Sequence, residues 1–138
     1  MRRSIVCLLL SGFLAACSTS PAFELGSVVV KPSKNAYAAG EPVTAQLSNG
    51  SSSEIGFGAC ALRAERLTGS QWVLVGSADA PCTLQLILLG AHDERTLQLY
   101  DSLTLPGEYR LRFEFAPHSE LSVGERIYSP SFSVVAPQ

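Results

Sequence analysis

The chain has 138 residues, 46% hydrophobic and 16% charged, a balance that suits one globular domain with a packed core and excludes a disordered or fibrous chain. Ten basic residues stand against twelve acidic ones for a formal net charge of -2, and two of the ten are Arg2 and Arg3. Without that pair, eight basic groups face twelve acidic ones, so the body of the chain has no electrostatic case for a nucleic-acid partner.

Arg2 and Arg3 lead into "SIVCLLLSGFLAA", about a dozen mostly apolar residues, which is the charged start and short apolar run of a secretory signal. A membrane span needs about 20 apolar residues, and the polar "STSPAF" that follows denies the segment that length. The run ends on a cysteine. "LAAC", Leu14 to Cys17, resembles the lipobox of bacterial lipoproteins. The resemblance implies that residues 1–16 are removed as a signal peptide, that the Cys17 thiol accepts a diacylglyceryl group, and that the new amino terminus is acylated, for example with palmitate. A thiolate suits that transfer because it attacks far better than a serine hydroxyl at neutral pH. Two or three chains give stable anchoring, since each buried methylene contributes about 0.8 kcal/mol and a single chain binds only marginally. The resemblance therefore implies a lipid-anchored protein of the bacterial cell envelope. Ser18, rather than Asp, follows Cys17, which favours the outer membrane if the source is Gram-negative. Residues 17–22 are small, polar or proline and read as a tether. Residues 23–138 remain for the folded domain.

From residue 23 the hydrophobic period is two. "LGSVVVK" (Leu25 to Lys31) is the first candidate strand. "PVTAQLSN" places Val43, Ala45 and Leu47 on one face and Thr44, Gln46 and Ser48 on the other. "CALRAERL" (Cys60 to Leu67) and "WVLV" (Trp72 to Val75) flank "TGS", the clearest hairpin signal. A three-residue loop Thr68-Gly69-Ser70 predicts Leu62, Ala64, Trp72 and Leu74 on the core face, with Arg63 and Glu65 in solvent. Then come "CTLQLILL" (Cys82 to Leu89), "RTLQLYDSL" (Arg95 to Leu103), "EYRLRFEF" and "SFSVVA" (Ser131 to Ala136). In "EYRLRFEF", Tyr109, Leu111, Phe113 and Phe115 alternate with Arg110, Arg112 and Glu114. Turn-forming residues separate these runs, and no helix is expected after the tether. Seven or eight short strands predict an all-β sandwich or barrel.

Of the four cysteines, Cys7 would leave with the signal and Cys17 would carry lipid, leaving Cys60 and Cys82. In an oxidising compartment such a pair is expected to form a structural disulfide. It would close a loop of about 22 residues, for which the chain-entropy model gives about 3 kcal/mol. A C-x-x-C redox or metal spacing is absent from the sequence.

"YAAGEPVTAQLSNGSSSEIGF" from Tyr37, "ALRAERLTGSQWVLV" and "LTLPGEYRLRF" together resemble a bacterial immunoglobulin-like domain, in which an early strand ends in Asn, a hairpin presents W-x-x-V and a late strand opens with PGxYR. The resemblance implies an antiparallel immunoglobulin-like sandwich with Trp72 and Tyr109 as structural residues. Tyr109 fits a tyrosine corner, bonding back to nearby backbone. Cys60 and Cys82 are too close in sequence for the inter-sheet bridge of antibody domains, so their disulfide is expected at the periphery.

Chemistry-bearing residues are sparse. His92 and His118 lie in polar loop-like stretches, and His92-Asp93-Glu94 has no second set of ligands at strand or helix spacing, so no metal or cofactor is expected. Neither G-x-S-x-G, nor a P-loop, nor H-E-x-x-H occurs in the sequence. Ser51, Ser52 and Ser53 read as turn residues, as does the "NGS" at Asn49. Arg63, Arg66, Arg110 and Arg112 would form a basic patch if their strands adjoin, although Glu65 and Glu114 point to a mixed-charge surface. The reading that follows is a non-enzymatic interaction or structural module, held to the membrane through Cys17 and facing another envelope protein or a glycan. The alternative is a proteinase inhibitor whose exposed loop is "GSADAPC", residues 76–82. A small-ligand carrier would need an apolar cavity within the sandwich, whereas the alternation predicts a filled core.

Overall fold

The computed structural model of the protein describes residues 25–76, 85–117 and 124–137. After one 3-10 turn (Leu25–Ser27) the described chain is all strand: β1 (Val28–Pro32), β2 (Ala36–Ala38), β3 (Thr44–Asn49), β4 (Ile55–Gly58), β5 (Leu62–Thr68), β6 (Gln71–Val75), β7 (Leu86–Leu89), β8 (Glu94–Gln98), β9 (Gly107–Pro117), β10 (Glu125–Tyr128) and β11 (Phe132–Val135). They form two packed sheets, a β-sandwich, which is one of the two forms that the alternation predicts and the one that the immunoglobulin-like resemblance implies. The small sheet runs β1-β3-β8. The large one is built on β9, which pairs with β5 and β4 along one side and with β11 and β10 along the other. β6 extends the sheet beyond β5, and β7 extends it beyond β4.

Period two explains the layering. Val28, Val30, Ala45 and Leu47 face inward from the small sheet, against Leu62, Ala64, Tyr109, Leu111, Phe113 and Phe115 from the large one, all buried. The aromatic residues fill the space between the sheets: Phe57 meets Phe113 edge-on at 5.1 Å, and Phe113 stacks on Phe115 at 5.8 Å. Toward the other end, Phe132 stacks on Tyr109 at 6.0 Å and takes Tyr37 edge-on at 5.4 Å.

Two polar clamps close the ends. Tyr109 is 2% exposed, and its hydroxyl donates to the Leu105 carbonyl at 2.7 Å, the tyrosine corner expected at this position. At the other end Asn49, fully buried, ends β3 in a net of turns. Its Nδ2 donates to the carbonyls of Ser53 (2.8 Å), Gly90 (2.9 Å) and Leu89 (3.3 Å). Its Oδ1 accepts from the Ser51 hydroxyl at 2.6 Å and the Ser51 amide at 3.2 Å. One side chain therefore ties the loop after β3 to the loop after β7, where burial makes each unmet amide atom costly.

Three expectations change. Eleven strands stand among the described residues rather than seven or eight, the additions being β2, β4 and β10. The sheets are not wholly antiparallel, because β2 pairs parallel to β11. After β1, whose edge position tolerates Pro32, the chain crosses at residues 33–35 from the small sheet to the rim of the large one. Finally, Thr68 pairs with Gln71 and Leu67 with Trp72, so the hairpin loop is the two residues Gly69-Ser70. Gly69 has φ +63°, the left-handed backbone that such short loops require. The shift by one residue exchanges the faces of β6. Trp72 and Leu74 lie on the outer face beside Glu65, not in the core with Leu62 and Ala64.

Candidate functional site

Every second residue of β5, β6, β9 and β10 points away from the core, and most of these outward residues are charged or aromatic, with Leu67 and Leu74 among them. The register sets Arg63 beside Arg112, Glu65 beside Arg110, Glu114 beside Arg126, and Arg112 beside Tyr128. Glu65 was expected in solvent. It is only 6% exposed, because the side chains on β6, β9 and β10 close over it.

Arg110 is the centre of this face. Its guanidinium carbon lies 4.0 Å from the Tyr128 ring centroid and 4.7 Å from that of Trp72, so the cation sits between two π-faces. Its Nη2 and Nε donate to Glu65 Oε2 at 2.6 Å and 2.8 Å. Arg112 approaches Glu65 Oε1 at 3.7 Å and bonds Glu114 Oε1 at 3.1 Å, which also accepts from Arg126 at 2.8 Å. The hydrogen bond that Arg126 donates to the Tyr128 side chain, and then its bond to Glu114, raise the pKa of the Arg126 guanidinium above its ordinary value. Cation–π contacts of this kind contribute about 0.5–2 kcal/mol each, depending on how far they are desolvated. The result is a rigid row, Trp72, Arg110 and Tyr128, above a buried carboxylate.

The outer face of the small sheet differs. There Thr96 donates to Gln46 Oε1 at 3.0 Å, while Gln46 and Ser48 donate to Glu94 at 3.2 Å and 3.0 Å. This ladder is short, polar and without aromatic rings.

Other residues singled out in the sequence fall elsewhere. Arg66 occupies the opposite side of β5 from Arg63, and its Nη2 donates to the Pro106 carbonyl at 2.8 Å, so it does not join the patch. Arg126, which the sequence reading missed, takes its place. His92 is exposed at the turn between β7 and β8, with φ +62°. The Ser51 hydroxyl is engaged with Asn49 and the Ser53 carbonyl, as turn serines usually are. Cys60 is partly buried in the turn between β4 and β5. Cys17, Cys82, His118 and residues 77–82 of the loop 76–82 proposed for protease insertion lie outside the described residues. Among the described residues, no three His, Cys, Asp or Glu side chains gather as a metal site would require. An apolar opening bounded by Phe57, Leu62, Ile87, Leu97 and Phe113 measures about 40 Å³, room for about one water molecule rather than for a lipid or sugar.

No family model matches the chain, and no curated protein matches it. Among solved structures, a chain of the CsuC–CsuE chaperone–tip adhesion subunit pre-assembly complex of Acinetobacter baumannii Csu pili is 16% identical over 79% of this chain, with a TM-score of 0.45. This chain spans half the length of that one. PapD-like domain 7 of human CEP192 is 14% identical over the whole of both chains, with a TM-score of 0.35. A β-glucosidase from Listeria innocua, in complex with gluconolactone, is 16% identical over 82% of this chain and 17% of its own, with a TM-score of 0.31.

Proposed function

We propose that this protein is a non-enzymatic, lipid-anchored module of the bacterial cell envelope that docks another envelope protein on the outer face of its large sheet. The observation that carries the docking surface is Arg110 held between Trp72 and Tyr128 over Glu65. Trp, Tyr and Arg are the residue types that dominate binding energy at protein interfaces, and they do so best when held in place before the partner arrives. Tyr128 is 43% exposed, so its ring is open to a partner while its inner face is fixed by Arg110.

Anchoring through acyl chains on Cys17 rests on the signal and "LAAC" pattern of the sequence. A Cys60–Cys82 bridge is part of the same reading. Support comes from the ladder. β6 leaves it at Val75, opposite Ala64, and β7 rejoins it at Leu86, opposite Gly58. The connecting residues 76–85, which include Cys82, thus depart and return on either side of the turn that holds Cys60.

The experiment is site-specific photocrosslinking in intact host cells from position 128, repeated from position 96 on the small sheet. A discrete crosslinked protein from position 128 alone supports the reading. Equal capture from both positions, or none from position 128, overturns it.

A further inference from the structure

Sheet edges attract foreign strands, and proteins guard them with charge, proline or brevity. Most edges of this sandwich are guarded. β1 carries Lys31 and Pro32, β8 carries Glu94 and Arg95, β10 carries Glu125 and Arg126, and β2 has three residues. Among the described residues β6 and β7 each pair on one side only, and the edge they form is different: neither Gln71–Val75 nor Leu86–Leu89 contains a charged residue or a proline.

We propose that β6 is a self-association edge, pairing antiparallel with β6 of a second copy about a two-fold axis through Val73. The register argues for a second copy. The two-residue hairpin loop makes Thr68 and Gln71 the hydrogen-bonded pair that closes the turn. By alternation, Gln71, Val73 and Val75 spend their main-chain groups on β5, while Trp72 and Leu74 turn theirs outward. An antiparallel copy centred on Val73 sets Trp72 against the partner's Leu74 and Leu74 against the partner's Trp72. Outward groups then meet outward groups, forming about four main-chain hydrogen bonds.

Side chains agree with that register. Val73, 48% exposed, meets the partner's Val73, Trp72 meets the partner's Leu74 on the outer face, and no charge opposes a charge anywhere along the strand. β7 offers no equivalent. With four residues, a self-pairing that keeps inward-facing residues opposite inward-facing ones must be centred on Ile87 or Leu88 and joins only three. A five-residue ladder is small by the standards of stable dimers, so the association is weak and concentration-dependent.

The test uses the full chain carrying Val73→Cys, oxidised and run on a non-reducing gel. Across the two-fold axis Val73 forms a non-hydrogen-bonded pair with Cα atoms about 4.5 Å apart, within disulfide range. Val135→Cys on β11 is the control, since Val135 is equally exposed at 48%. The expected result is at least ten-fold more covalent homodimer from Val73→Cys than from Val135→Cys or the parent chain. In addition, Val73→Lys should abolish the concentration-dependent rise in sedimentation coefficient without moving the melting temperature. Equal crosslinking from positions 73 and 135, no dimer from either, or capture of a different protein by Val73→Cys overturns the proposal.

Discussion

The Tyr109 hydroxyl reaches back four residues to the Leu105 carbonyl, and this bond fixes the point at which β9 enters the large sheet. Tyr109→Phe keeps the ring against Phe132 and removes only the bond, so it should lower stability by about 1 kcal/mol in urea titrations. Burial raises the Tyr109 pKa above its ordinary value, and the nearby Arg66 pulls it partly back. A group whose folded pKa is raised contributes stability that is fully present below its unfolded value, about 10 for tyrosine, and is lost as pH rises through the folded value. The alkaline loss of stability should therefore be smaller in Tyr109→Phe than in the parent.

Asn49→Asp tests the other clamp. The new carboxylate would face the carbonyls of Ser53, Leu89 and Gly90 in place of an amide donor. Burial and those carbonyls would raise its folded pKa, so its penalty should be least below about pH 4 and grow as pH rises. Near neutrality the loss should be about 3 kcal/mol or more, measured by thermal melts from pH 3 to 8.

On the outer face, the two glutamates should behave differently. Glu65→Ala leaves Arg110 and Arg112 partly buried without their carboxylate and should cost about 3 kcal/mol, with little rescue by salt. Glu114 is far more exposed, and Glu114→Ala should cost less than about 1 kcal/mol. Equal effects in chemical denaturation would contradict the burial of Glu65.

Much of this arrangement was legible in the sequence where alternation runs long. In β9, Tyr109 to Phe115 show both faces without ambiguity, and β3 does the same with Val43 to Ser48 just before and along it. β4 was hidden because Gly56 and Gly58 leave only two side chains to report a period, β2 has only three residues, and β10 offers a single aliphatic residue, Ile127, between charged and aromatic neighbours. Trp72 faced the wrong way in the sequence reading because a loop one residue shorter inverts every following residue of β6. The site suffered for the same reason. Arg110 and Glu65 were visible as an interleaved pair, but their sandwiching between Trp72 and Tyr128 needed the register of β6 and the existence of β10.

If Cys60 and Cys82 are bridged, the unreduced protein purified from its host should show neither as a titratable thiol. Reduction should then lower stability by about 3 kcal/mol. Two thiols in the unreduced protein would remove the bridge.

Cys17→Ser should move the protein from the membrane fraction to the soluble fraction of host cells, or leave an unprocessed precursor. The parent chain should carry acyl mass on a peptide beginning at residue 17. An unmodified Cys17 in host-derived protein would sink the anchor.

β9 touches four other strands of the large sheet, yet it begins at Gly107. A ribosome delivers residues in order, so β4, β5 and β6 exist for some time with nothing to lean on. Their apolar inner faces stay open to holdases and proteases until β9 joins them. The large sheet is thus completed late, and truncation ahead of Gly107 removes its keystone rather than an ornament.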